Sequence, residues 1–192
     1  MRYPLVLDLE TKYTFRQHTD PKKLGVSMVG IYDYGSETLM SFFEDELTKL
    51  YPLLENASFL IGFNIDSFDL PVLQGYYPGD ASQFKTFDIL EDIKKILGRR
   101  LALNDIVKAT LGKKKSGHGL QAINYYKEGK LEELKKYCLQ DVLLTKEIFD
   151  YGVKNGVIYY PNLSEKTPIK VDWKKYLEDD GEKNNVSLTL PF

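Results

Sequence analysis

Cysteine and histidine are scarce: the 192-residue chain has one cysteine, Cys138, and two histidines, His18 and His118. One cysteine cannot close an internal disulfide, which fits a reducing cytoplasm. So few thiol and imidazole groups supply no spaced zinc set. No apolar run approaches the ~18 residues that a membrane-crossing helix needs. Met1-Arg2-Tyr3-Pro4 leads straight into a strand pattern and leaves no room for a signal peptide, so the expected location is cytoplasmic. Internal repeats and low-complexity tracts are absent as well. A basic surplus is also missing, the formal net charge being −2. Any nucleic-acid contact must then rest on local clusters: Lys94-Lys95, Arg99-Arg100, Lys113-Lys114-Lys115 and Lys135-Lys136. Each of these is equally compatible with a solvated face.

What is present suits a soluble globular protein, with 43% hydrophobic and 28% charged residues and enough length for one sizeable core. The stretch Leu5-Val6-Leu7-Asp8-Leu9-Glu10-Thr11 alternates, with the leucines on one side and Val6, Asp8 and Glu10 on the other. Residues two apart in a strand face the same way, so two carboxylates enter one space from an apolar segment. At ~4 Å two like charges repel by about 1 kcal/mol in water and about 4 at an effective dielectric near 20. In a central strand such a pair calls for a cation. On an edge strand with a wet face it does not, and the stretch alone leaves both readings open.

Further along, residues 24–34 and 37–43 read as two more strands around a turn at Tyr34-Gly35-Ser36. Residues 44–54 have helical spacing, and 59–63 form a short apolar run suited to a buried strand parallel to the first. In Asn64-Ile65-Asp66-Ser67-Phe68-Asp69-Leu70-Pro71, Pro71 fits the first turn of a helix, so Asp69 or Asp66 can serve as its cap. One carboxylate is then left over. Residues 84–89 read as a strand, and helices follow to about residue 97 and over 103–111, the latter stopped by Gly112. The loop Lys113-Lys114-Lys115-Ser116-Gly117-His118-Gly119 is the most basic stretch, and Lys115 and His118 are candidates for a phosphate backbone. A long helix over 131–151 carries Tyr137 and Asp141 on one face. No lysine or arginine lies three or four residues from Asp141, and its neighbours are apolar, which argues for burial with a partner from elsewhere. Beyond residue 160 the chain reads as a partly irregular extension, 161–192, with a short possible helix at 173–177.

Four carboxylates, Asp8, Glu10, Asp69 and Asp141, thus come from three separate elements. Hard oxygen ligands of this kind suit Mg²⁺ or Mn²⁺, and two such ions about 3.5–4 Å apart promote in-line displacement at phosphorus.

At this point the chain resembles a known family. Asp8-x-Glu10, Asn64-x4-Asp69 and Tyr137-x3-Asp141 are similar, in order, to the three motifs of DEDD 3′–5′ exonucleases, and the tyrosine resembles the DEDDy branch. The likeness covers roughly residues 3–160 and is greatest to an uncharacterised prokaryotic exonuclease-like group. The second motif also resembles the proofreading domain of family-B DNA polymerases. The resemblance implies an α/β ribonuclease H-like fold: a mixed central sheet, three antiparallel strands followed by parallel ones, flanked by helices, over 1–160. It implies a two-metal-ion 3′–5′ exonuclease that releases nucleoside 5′-monophosphates from single-stranded nucleic acid, DNA ahead of RNA. Asp8, Glu10 and Asp141 would hold the first ion, Asp8 bridging to a second near Asp69, and Tyr137 would orient the attacking water. Thr11 and Asn64 would touch the terminal nucleotide. Lys12 stands where related enzymes often carry a small residue, which leaves the pocket beside Thr11 undefined. A catalytically silent nucleic-acid-binding module and a ribonuclease H-like endonuclease are the alternatives. The end, Ser187-Leu188-Thr189-Leu190-Pro191-Phe192, looks somewhat like peptides that bind a sliding clamp, although it lacks their usual glutamine; a final arm packed on its own domain is the plainer reading.

Overall fold

The computed structural model describes residues 2–114, 119–162 and 165–177. A five-stranded sheet with spatial order β3-β2-β1-β4-β5 forms its centre. Strand β1 (Leu5–Thr11) lies in the middle, β2 (Val26–Asp33) and β3 (Thr38–Phe43) continue it antiparallel on one side, and β4 (Leu60–Gly62) and β5 (Thr86–Asp88) are parallel to it on the other. This is the mixed α/β arrangement expected from the strand order.

The alternation of β1 divides the core into two layers. Leu5, Leu7 and Leu9 pack with Leu47, Leu50 and Leu54 of α1 (Leu47–Asn56) and with Val72 and Leu73 of α2 (Asp69–Leu73). Val6 faces the opposite layer, where Ile61 and Phe87 meet Val142, Ile148 and Phe149 of the long helix α6. Helices α3 (Ile89–Leu97), α4 (Leu103–Leu111) and α5 (Gly119–Lys127) precede α6 (Leu131–Asn155). The α6 stripe of Leu134, Cys138, Val142, Thr145 and Phe149 is buried as its spacing requires, while Leu131 is exposed at the helix start.

One glycine sets how closely α6 approaches the sheet. Gly30 of β2 pairs with Asp8, and a Cβ placed there would lie 2.8 Å from Val142 and 3.0 Å from the Cys138 sulfur. Only a residue without a side chain lets the helix settle against the sheet beside Asp8. Beyond α6, Gly156 ends the helix with φ +64°, and β6 (Val157–Asn162) and β7 (Glu165–Lys170) form a separate antiparallel hairpin. Ile158, Tyr160 and Ile169 of this hairpin pack into the same buried layer as Val6, Phe87 and Phe149. Trp173 is buried, stacks on Phe149 at 6.0 Å, meets Phe87 edge-on and donates its indole N–H to Asp92 at 2.7 Å. A short helical turn follows at 174–177. No helix among the described residues is long and apolar enough to cross a membrane.

Candidate active site

Because β1, β4 and β5 run parallel, their carboxyl ends open on the same side, and the candidate site is built at that edge. Asp8 and Glu10 come from the second half of β1, and Asp141 comes from the middle of α6, held close by the Gly30 contact. One carboxylate oxygen from each of the three lies within 4.8 Å of the others. Asp141 is 2% exposed and Glu10 8% exposed, so this charge sits away from bulk water. Asp69 opens α2 and lines the same cleft as Asp8, Glu10 and Asp141. It does not cap that helix. Phe68 occupies the cap position and supplies no side-chain bond, which leaves the Asp69 carboxylate for the cleft.

The electrostatics register the crowding. Burial pushes the Asp69 carboxyl well above the usual range, and the charge of Asp8 pushes it further in the same direction. Cys138, beneath the cluster with its sulfur 3.7 Å from the Asp8 carbonyl oxygen, is held as a thiol first by burial. The charges of Asp8, Glu10, Asp141 and Asp69 then add to that effect. A buried thiol pushed upward in this way is no nucleophile. Several carboxylates on one small volume form a donor set of hard oxygens, which fits Mg²⁺ or Mn²⁺ and does not fit a soft-metal site.

Residues 5–153 match the family model described as the RNase_H superfamily. The chain belongs to the RNase_H superfamily. Among solved structures, the fold is similar to the family B DNA polymerase from the hyperthermophilic archaeon Pyrobaculum calidifontis, with TM-score 0.59 and 15% identity. It is also similar to Trypanosoma brucei RNase D, with TM-score 0.57 and 17% identity. Each likeness covers 78% of this chain, but only 24% of the polymerase and 57% of RNase D. At these identities the likeness concerns the fold. No curated protein sequence matches the chain.

Around the carboxylates of this RNase_H-superfamily domain lies a cleft of about 690 Å³. Thr11 lines it and donates its hydroxyl to the Tyr13 carbonyl at 2.9 Å, tying the strand end to the following loop. That loop brings Tyr13, Phe15 and Arg16 to the cleft, and α5 brings Leu120 and Ile123 to it. Lys12 turns elsewhere: its ammonium pairs with Glu44 and lies 5.3 Å from the centre of the Tyr126 ring of α5. The residue that left the pocket undefined in sequence thus braces one of its walls.

Tyr137 shares its helix face with Asp141 but does not line the cleft. It is buried with Met28, Leu134 and Cys138, its ring 6.5 Å from that of Tyr125 in α5. Asn64 follows the cleft residue Phe63 and adopts φ +73°. Lys115, His118 and Ser187–Phe192 lie outside the described residues.

Asp88 is a structural residue of the site that sequence reasoning missed. Its carboxylate accepts from the backbone N–H of Asn64 at 2.9 Å and of Asp66 at 3.2 Å, and also caps α3 through Leu90 and Glu91. One buried acid therefore fixes the turn leading to Asp69 and the start of the next helix. The spacing Asp88-x-x-Glu91 is a capping signature that marks a helix start at this point.

Proposed function

We propose that the protein is a metal-dependent 3′–5′ exonuclease of the DEDDy type, acting on single-stranded nucleic acid with DNA ahead of RNA. The observation that supports this most is the convergence of Asp8, Glu10 and Asp141 within 4.8 Å, with Asp69 lining the same cleft. Two divalent ions, Mg²⁺ or Mn²⁺, would supply the acidity that makes water a nucleophile and the positive charge that stabilises the leaving 3′ oxygen. Asp8, Glu10 and Asp141 are the residues that would hold the first, with Asp8 shared and Asp69 beside the second. Tyr137 is assigned a positional role over the attacking water. With an ordinary pKa near 10 a tyrosine is a poor base, so the role given to it is orientation and not proton abstraction. Thr11 would border the terminal nucleotide, and the aromatic and aliphatic cleft walls offer its base apolar contact.

Linear and circular single strands of the same sequence, incubated with Mg²⁺ or Mn²⁺, test the reading. It expects nucleoside 5′-monophosphates from the linear strand and an intact circle. A cut circle would place the protein among endonucleases, and binding without cleavage in either metal would make it a binding module.

A further inference from the structure

Asn64 and Arg100 form a polar pair beside the cleft that the metal chemistry does not use. Asn64 holds a left-handed conformation, φ +73°, which among residues with a side chain asparagine adopts most readily. The turn is kept in place by Asp88, which accepts from the N–H groups of Asn64 and Asp66. Asp88 thus gives a defined shape to the turn that follows a cleft-lining residue, Phe63.

The side chain of Asn64 is oriented by its partner. Its Oδ1 accepts a hydrogen bond from Nη2 of Arg100. A guanidinium only donates, so the contact fixes the carboxamide with oxygen toward Arg100 and the Nδ2 donors turned away. Among the described residues Nδ2 donates to none. Arg100 itself comes from the connection between α3 and α4, and its side chain is 52% exposed. Its nearest acid, Glu91, is 3.9 Å away and already bonded to Lys94 at 3.1 Å. Most of the five guanidinium donors therefore face solvent.

We propose that Arg100 and Asn64 clamp the phosphodiester backbone of a bound single strand beside the carboxylate cluster. This rests on the nuclease reading of the site. Two ions held by the carboxylates would draw in only the phosphate that is cut, so the rest of the strand needs cationic and N–H donors outside the cluster. Arg100 offers a forked cation to a phosphate oxygen, and the Nδ2 it orients offers neutral donors to the neighbouring phosphate or sugar oxygen. Arg100 thus serves both as a strand contact and as the group that positions Asn64.

Steady-state degradation of a 5′-labelled single strand by the full chain, over a range of salt concentrations, tests the clamp. Arg100→Ala should raise KM about tenfold with kcat little changed, and should flatten the log–log salt dependence of kcat/KM by about 0.7, the value for one phosphate of a single strand. Arg100→Lys should restore the salt slope while recovering only part of KM, because the charge returns without the fork. Asn64→Gly tolerates the left-handed turn and should raise KM with the salt slope unchanged. An unchanged KM and slope in Arg100→Ala would overturn the clamp, as would a loss confined to kcat and melting temperature, which marks a mere brace of the loop. If the wild type cuts no strand, the nuclease reading fails by itself. Fluorescence anisotropy of the same strand at low salt then decides the clamp: weaker binding by Arg100→Ala supports it, and equal binding, or no binding by the wild type, overturns it.

Discussion

Asp88 shows how much one side chain holds beside the carboxylate cluster. It satisfies four backbone N–H groups from two segments while itself buried, and that burial pushes its carboxyl upward. Replacing it with alanine removes a helix cap and leaves buried donors without a partner, each worth about 1–2 kcal/mol. Asp88→Ala should lower unfolding stability by about 2–3 kcal/mol in denaturant titration, and a change within experimental error would contradict this role. Asp69 gives a prediction with a sign. Its native value is raised above the ordinary ~3.9, so as pH rises the unfolded chain loses its proton first. This group's contribution to metal-free stability therefore falls from about pH 4 upward, until the native group ionises too. A divalent ion reverses the trend, because only ionised carboxylates bind it. At 100 times Kd an ion adds about 2.7 kcal/mol, or roughly 5–10 °C in melting temperature for a chain of this size. Melts with Mn²⁺ should show that gain at pH 8 and much less at pH 5, whereas equal gains at both would remove the carboxylates from the metal's binding.

At the level of elements, Gly30 links helix packing to the site. Gly30→Ala puts a methyl group within about 3 Å of Val142 and Cys138 and drives α6 from β1. Overpacking of this kind costs about 1–3 kcal/mol, but the larger effect should fall on Asp141, displaced from Asp8 and Glu10. Calorimetric titration with Mn²⁺ should find affinity reduced at least tenfold in the folded variant, and unchanged affinity would show that Gly30 does not set the carboxylate spacing. Helix α6 was legible from its apolar stripe, and the strands were legible as short apolar or alternating runs between turn signals, β2 and β4 being buried on both faces. The four acids could be picked out as too many for capping and solvent exposure alone, though their convergence is a property of the sheet order. Helix α5 was missed: it follows a glycine-rich basic loop, and among the described residues it buries only Ala122 and Ile123 while Leu120 is 64% exposed. The β6–β7 hairpin was missed for a different reason. Pro161 and Pro168 argue against strands, yet a two-stranded ribbon has free edges that tolerate both.

For the whole molecule, the chain beyond α6 joins the core through Ile158 and Ile169 of the hairpin and through Trp173. Its ring packs against Phe87, Phe149 and the bare Cα of Gly152, where a Cβ would come within 2.1 Å of the indole. Trp173→Ala opens a cavity between α6 and β5 and should cost about 3–5 kcal/mol, a loss measurable by chemical denaturation. A cost below 1 kcal/mol would contradict the place of Trp173 in the core. The RNase_H-superfamily fold is thereby built around a cluster of acids that could hold a divalent ion. The most direct measurement is a time course on 5′-labelled single-stranded DNA and RNA with Mg²⁺, Mn²⁺ or EDTA, beside an Asp8→Ala control. The prediction is a ladder that shortens from the 3′ end in either metal and disappears in EDTA and in the control. Full-length strands in every lane, or equal cleavage by Asp8→Ala, would contradict a carboxylate-metal exonuclease.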